Sequence, residues 1–366
     1  MKQTCILILG MHRSGTSALT GLLSMCDVYL GSELMAANFA NEKGYFENNK
    51  ICKLNENLLL QIDSSWDDVF FNEQKLEKIT SSRILKDLIE TEFKYCDIFA
   101  IKDPRLVFLF PVYIKILNEL NINVKIIIPY RNPLEVASSL AKRNAFCLEK
   151  SMTLWACHML LAEKFTRKFP REFVCFNALM KNPEMIINSI SKNLKLALNK
   201  KYLENKEEIH GFIEPSLKHH NISFDNLSSN IPSIVAKILQ LRDKYNSKEI
   251  TKEFDPLVHE FFSYQKLFYN EDLMTLFVEH SNVKIRLQET EQELQERVAE
   301  SQKLQKNLHV KEAQWQEALK SKAILQEELE KEQSKLCSLK NELISIHTGV
   351  SWKITRPLRK IKRFFR

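Results

Sequence analysis

The sequence predicts an α/β protein, a parallel sheet flanked by helices, followed by one long helix with a coiled-coil seam. Three observations predict it. An apolar run of strand character, Ile6-Leu7-Ile8-Leu9, ends at Gly10; a tight turn leads to a second glycine, Gly15, and a helix pattern then begins at Thr16-Ser17 and runs through Leu23. Apolar runs alternate with helix-period stretches as far as residue 197, the pattern of parallel strands joined by right-handed crossovers. Residues 284–346 contain neither Gly nor Pro and repeat leucine at intervals of seven.

In chain order, the first strand and helix are followed by a short extended piece at Asp27-Val28-Tyr29-Leu30-Gly31. Gly44-Tyr45-Phe46-Glu47 then leads into a helix around residues 51–59, and residues 63–82 read as a surface loop with a polar helix after it. Ile98-Phe99-Ala100-Ile101 is a second buried strand, ended by Lys102-Asp103-Pro104-Arg105, with a helix over 108–120. Val124 to Tyr130 is a third strand; Arg131-Asn132-Pro133 starts a helix through Leu140, because Pro suits a first helical turn. Residues 151–167 form an amphipathic helix with Trp155 in the core, Phe173-Val174-Cys175-Phe176 is the last strand, and 183–197 is helical. Residues 225–280 are helical and irregular. In the long helix, Leu287, Leu294, Leu308, Leu329, Leu336 and Leu343 share one register with Trp315, while the second core position (Glu291, Gln305, Glu312) is poor, which predicts a partial coiled coil. Gly349 ends it.

Composition narrows the function class. The 366 residues are 44% hydrophobic and 27% charged, enough for one large or two ordinary globular domains. The 8 cysteines are scattered without a C-x-x-C pair, which reads as reduced thiols and no zinc site. No signal peptide and no apolar run of membrane-span length is visible, so a cytoplasmic protein is expected. The net charge of +7 comes from residues 350–366, whose seven Lys and Arg residues face no acid; the rest holds 46 basic against 46 acidic residues. A basic domain that coats nucleic acid is therefore excluded, and a basic tail remains.

The turn between Gly10 and Gly15 is built for an anion. Backbone N–H groups at the start of a helix have no internal partner, and the helix dipole adds positive potential. A nucleoside triphosphate loop reads G-x-x-x-x-G-K-[ST]; here Thr16 stands at the lysine position and the cation has moved forward to Arg13. Lys102 and Arg131 follow the second and third strands, at the carboxyl edge where ligands of such sheets bind.

Gly10-Met11-His12-Arg13-Ser14-Gly15-Thr16-Ser17, Gly44-Tyr45-Phe46-Glu47, Lys102-Asp103-Pro104-Arg105 and Tyr130-Arg131-Asn132-Pro133-Leu134-Glu135-Val136-Ala137-Ser138-Ser139-Leu140 together resemble the ordered motifs of bacterial-type PAPS-dependent sulfotransferases. Residues 173–183 resemble the strand and polar turn that follow in that family, and Phe212 to His220 resembles the close of its catalytic domain. The resemblance covers about residues 1–220 and implies a catalytic domain over 1–222, with a helical extension (223–282), a coiled-coil helix (283–346) and a basic amphipathic tail (347–366) after it.

It also implies roles. His12, Arg13, Ser14, Gly15, Thr16 and Ser17 would hold the 5′ end of PAPS or PAP, and Arg131 with Ser139 the 3′-phosphate. Arg13 stands where many members have lysine; it neutralises charge on the leaving group but cannot give up a proton. Lys102 and Arg105 would steady the sulfonate and the acceptor. A histidine found in cytosolic small-molecule members is replaced by Pro104, so the base falls to Glu47, with Asp103 and His12 as alternatives and Asp103 expected in structural ion pairs. The family needs no metal, and His219-His220 point apart as neighbours.

The tail interleaves Trp352, Ile354, Leu358, Ile361, Phe364 and Phe365 with its basic residues, which suits an anionic membrane surface. Similar segments end many bacterial cell-surface polysaccharide enzymes, so the resemblance implies a glycan or lipid-linked glycan acceptor at the inner face of the membrane. The seam implies a homo-oligomer or a partner helix. Two other readings share the residues: a P-loop kinase, and a coiled-coil adaptor whose loop is inactive.

Overall fold

The structure, a computed structural model, describes residues 2–36, 44–213, 231–268, 271–349 and 353–355. Its sheet has four parallel strands, β1 (Thr4–Ile8), β2 (Ile98–Lys102), β3 (Asn123–Tyr130) and β4 (Arg171–Cys175), in the order β2-β1-β3-β4. β1 is interior because its side chains are apolar on both faces: Cys5 through Leu9 are fully buried. The strand's period of two sends Cys5, Leu7 and Leu9 into one core layer and Ile6 and Ile8 into the other.

The first layer is closed by α2 (Asn49–Leu60), α3 (Ser82–Glu92), α4 (Leu106–Glu119), α5 (Pro133–Asn144), α6 (Leu148–Thr166), α11 (Ser233–Gln240) and α12 (Ile250–Phe268). The second is closed by α1 (Thr16–Ser24), α7 (Phe176–Lys181), α8 (Pro183–Leu194), α9 (Asn199–Glu204) and α10 (Lys206–Phe212). Each buried Leu or Ile side chain contributes roughly 2 kcal/mol, so a charge at Leu7 would remove the layer it anchors.

Three α-helices among the described residues start on an asparagine whose side chain accepts from the first turn. Asn48 accepts from Ile51 N (3.1 Å), Asn132 from Leu134 N (3.0 Å) and Asn182 from Met185 N (3.0 Å). Pro133 and Pro183 follow two of them in the first turn, where a missing N–H costs nothing. Glu163 of α6 is fully buried between Arg167 (2.7 Å) and Arg171 (2.9 Å) and accepts from Thr251 (3.2 Å), which fastens α12 to the sheet's edge.

From β1 the chain crosses to β2 on one side and returns to β3 on the other, so a crevice opens at the carboxyl ends. Ile8 is level with Lys102 on one side and with Ile127 on the other, and β3 runs on to Tyr130. The Gly10 loop, Lys102 and Arg131 therefore stand side by side on one edge.

Helix α7 was not expected. The sequence reads as a polar turn there, but the chain turns directly out of β4 and buries Phe176, Leu179 and Met180; six residues are too few for a periodicity to register. Cys5, Cys26, Cys52 and Cys157 are buried thiols, whereas Cys147 and Cys337 are exposed.

The chain divides into two compact units, Met1–Ser281 and Asn282–Arg366. The long helix α13 (Glu271–Thr348) begins earlier than the expected residue 283 and ends before Gly349. Its leucine series is exposed, and three residues after that register stand Leu304, Leu325, Leu339 and Ile346, also exposed. Among the described residues no helix is long and apolar enough to cross a membrane. Residues 214–220 of the family's closing motif, with His219 and His220, and the tail apart from 353–355 lie outside the described residues.

His158 of α6 generates a pH prediction. Its ring is buried, its Nδ1 pairs with Leu154 O (2.8 Å), and its Nε2 has no partner, so burial pushes its pKa down from 6.5 to about 4. The unfolded chain therefore takes up this proton first, and stability falls as pH drops from the unfolded toward the folded value. Urea unfolding is expected to lose about 3 kcal/mol through this group between those two pH values, and His158→Phe to make the dependence shallower by that amount.

Candidate active site

The loop after β1 carries two residues in the left-handed region, Arg13 (φ 67°) and Gly15 (φ 88°). Arginine there is uncommon and glycine is not. Gly15 is also needed for space: a Cβ would come within 2.3 Å of the Phe176 ring. It is the N-cap of α1 and supplies no side-chain cap, so the first turn of α1 presents its N–H groups to whatever binds. Ser14 and Thr16 are buried beside it.

Arg131, directly after β3, is held from two directions. Its Nε donates to Glu135 Oε2 (2.6 Å), and its guanidinium lies 4.5 Å from the centre of the same Phe176 ring that supports Gly15. Its backbone carbonyl accepts from Trp155 Nε1 (3.1 Å), which accounts for the burial of that core tryptophan. Ser139 stands one turn beyond Glu135, and there the two anchors meet: Arg13 Nε donates to Ser139 Oγ (2.6 Å). Burial first, then the like charge of Arg131, hold the Arg13 guanidinium below its ordinary pKa, with Tyr45 pulling the other way. Two guanidinium groups that oppose each other's charge favour an anion between them.

The third group sits at the end of β2. Lys102 Nζ is paired with Glu47 Oε1 and donates to Ser17 Oγ (3.3 Å), while Cys52 Sγ lies 3.6 Å from Glu47 Oε2. Both Lys102 and Glu47 are buried. The segment carrying Glu47 is pinned by Met35 N to Glu47 O (2.8 Å) and by Ser17 Oγ to Tyr45 O (3.3 Å). Gly21 completes the seat: a Cβ would come within 2.4 Å of Phe212 and 3.0 Å of Phe46, so only glycine lets α1 lie flush against that aromatic pair.

The two other candidate bases are differently placed. Asp103 is fully buried and both its oxygens are engaged, by Arg105 N (2.9 Å), Arg105 Nη1 (3.2 Å) and Asn55 Nδ2 (3.0 Å). Burial alone would lower the Arg105 guanidinium, but Asp103 and Glu56 outweigh it and hold the pKa above the ordinary value. His12 meets the Trp66 ring edge-on, with centroids 4.4 Å apart. Burial, then the charges of Arg143, Arg105 and Lys102, hold its imidazole well below 6.5, so it is neutral at pH 7 and its protonated form is opposed by three cations.

The loop residues, Glu47, Lys102, Arg105, Arg131 and Ser139 thus gather at one edge. Four neighbours of the site escaped the sequence reading. Glu135 had a signal, since a carboxylate four residues after Arg131 on a helix meets it. Phe176, Trp66 and Arg143 had none, because they reach the loop across long stretches of chain. Among the described residues no group of three or more His, Cys, Asp or Glu is placed to hold a metal.

No protein-family profile matches the chain, and a search of the curated proteins finds no match. Among solved structures, the sulfotransferase domain from the Synechococcus PCC 7002 olefin synthase aligns with 71% of this chain and 96% of its own length, at 14% identity and a TM-score of 0.37. That similarity is distant, and the fold stands on the sheet order and loop geometry of this chain itself.

Proposed function

We propose that the protein is a sulfotransferase that moves a sulfuryl group from PAPS to a hydroxyl of a carbohydrate, a cell-surface glycan or its lipid-linked precursor. One observation carries the reading: Arg13 of the first loop donates to Ser139 of α5, one turn beyond the Glu135 that holds Arg131 at the end of β3, so both anchors are tied to the same helix. A donor with a 5′-phosphosulfate and a 3′-phosphate on one ribose suits that pairing. Its 5′ end would lie on the first turn of α1, along His12 to Ser17. Its 3′-phosphate would lie on Arg131 and Ser139, sharing or replacing the Arg13–Ser139 bond.

When bound, the donor supplies an activated sulfuryl group whose transfer leaves negative charge on the bridging oxygen. Arg13 neutralises that charge without giving up a proton. Lys102, held between Glu47 and Ser17, reaches from the first loop to the acceptor side and steadies the sulfonate. Arg105, tied to Asp103 and Glu56, would support the acceptor. Glu47 takes the hydroxyl proton: Asp103 has no oxygen to spare, and His12 is surrounded by cations.

A kinase sharing this loop would need a carboxylate for Mg²⁺ at a strand end. The carboxylate directly after β2, Asp103, has both oxygens engaged by Arg105 and Asn55, which favours the sulfotransferase reading. An adaptor with an inactive loop would have no use for the convergence of Arg13, Arg131 and Ser139. We further propose that α13 pairs with a second copy through its leucine seam, and that residues 350–366 rest on the anionic inner face of the membrane, which makes the protein cytoplasmic and peripheral.

Thermal melting tests the donor site: PAP is expected to raise the Tm without Mg²⁺, and ATP-Mg is not. In a transfer assay with radiolabelled PAPS over glycans and lipid-linked oligosaccharides, Glu47→Gln is expected to keep PAP binding and lose about 10²-fold or more in turnover. Near-native turnover would move the base to His12 or Asp103. For the C-terminal unit, sedimentation of the full chain is expected to report a dimer that Leu329→Glu with Leu336→Glu dissociates. Flotation with anionic vesicles is expected to depend on residues 347–366; a monomer, or equal flotation without the tail, removes the respective proposal.

A further inference from the structure

The cations at the carboxyl edge are matched by partners with one exception. Lys102 has Glu47, Arg105 has Asp103 and Glu56, and Arg131 has Glu135. Arg13 has the Ser139 hydroxyl. Arg143, one turn beyond Ser139 on α5, is half-buried and has no carboxylate within ion-pair distance among the described residues. Its Nε donates to the neighbouring Asn144 Oδ1 (2.6 Å), and its guanidinium lies over the Trp66 ring at 5.5 Å.

That position is built. Trp66 stacks on Phe146 with centroids 5.7 Å apart and meets His12 of the first loop edge-on. Lys150 sits over Phe146 at 4.0 Å and is paired with Asp67 (2.7 Å). Loop 63–72 and the α5–α6 turn are thereby clamped together with Arg143 between them, its rotamer fixed by the ring beneath it. Burial, then the like charge of Arg13, hold the Arg143 guanidinium below its ordinary pKa, with Tyr45 and Glu47 pulling the other way. A guanidinium held rigid, partly desolvated and without a counter-ion is a poor structural element and a good receptor for an oxyanion.

On the functional reading above, both charged ends of the donor are accounted for by the first loop and by Arg131 with Ser139. The Arg143 guanidinium is near enough to Glu47, which would receive the hydroxyl, to feel its charge, and it belongs to neither donor anchor. We propose that Arg143 reads the acceptor: the hydroxyl-bearing substrate carries an oxyanion, a carboxylate or a phosphate monoester, that Arg143 binds as Glu47 receives the hydroxyl. This rests on the sulfotransferase reading, and it adds that the acceptor is an acidic glycan. A neutral one leaves Arg143 uncompensated.

The test uses the full chain saturated with PAP and calorimetric titration of two matched pairs. One is a glucuronic-acid-containing oligosaccharide and its carboxyl-reduced form; the other is a mannose 6-phosphate oligosaccharide and its dephosphorylated form. In one pair the acidic member is expected to bind roughly 10- to 100-fold more tightly, the strength of a charge-assisted bond, and the responsive pair identifies the anion. Arg143→Gln is expected to abolish that preference with PAP affinity unchanged, and Arg143→Lys to keep part of it. Equal binding within both pairs, no binding in either, or a preference that survives Arg143→Gln overturns the proposal. So does a tenfold loss of PAP affinity in Arg143→Gln, which would place Arg143 on the donor. If the wild-type chain does not bind PAP, the failure belongs to the sulfotransferase reading itself.

Discussion

Like charges brought to the end of a parallel sheet repel one another, and the carboxyl edge of this protein is organised around containing that repulsion. Lys102 ends β2 and Arg131 follows β3, the two strands that flank β1, and Arg13 lies in the loop after β1 between them. Each is restrained by a different device. Lys102 is paired with Glu47, Arg131 with Glu135 from its own helix and with the face of Phe176, and Arg13 donates to the Ser139 hydroxyl. A positive surplus remains at Arg143, which has no carboxylate within ion-pair distance among the described residues and lies over the Trp66 ring. Buried pairs of this kind add little net stability, since desolvation offsets attraction, but they fix geometry.

That surplus links the fold to chemistry. A twisted parallel sheet delivers its strand ends to one line, and α1 and α5 start there with their N-termini turned to the same crevice. Phe176 is the mechanical centre of the arrangement: it supports Gly15 on one side and the Arg131 guanidinium on the other, so the two anion anchors cannot move independently. The same logic explains why the segment with Glu47 needs Gly21 beneath it. The carboxylate is placed by packing against α1, not by the loop's own conformation.

The parts of this architecture that were legible in the sequence are those governed by local rules. β1 and β3 were readable because strands buried on both faces are continuous apolar runs, and α5 because Asn132-Pro133 is a helix start in two residues. The candidate site residues were legible as motifs at strand ends. What was not legible depends on contacts far apart in the chain. No spacing rule connects Arg143 to Trp66, or Phe176 to Gly15, since those pairs meet only once the sheet is assembled. Helix α7 failed for the opposite reason, being too short to show a period. The length of α13 was legible because a stretch without Gly or Pro contains nothing to interrupt a helix. The chain's overall charge was uninformative about the site, because the excess lies in the last seventeen residues and not at the sheet edge.

The central claim is spatial: the first loop and the Arg131–Ser139 face of α5 hold opposite ends of one doubly phosphorylated adenosine. A crystal structure of the full chain with PAP measures it directly. The account predicts one molecule whose 5′-phosphate accepts from the backbone N–H groups at the start of α1 and whose 3′-phosphate lies within hydrogen-bond distance of Arg131 and Ser139, with Arg13 turned from its bond to the serine toward the 5′ end. PAP bound elsewhere, or touching only one of the two anchors while the Arg13–Ser139 bond persists across the other, would contradict it.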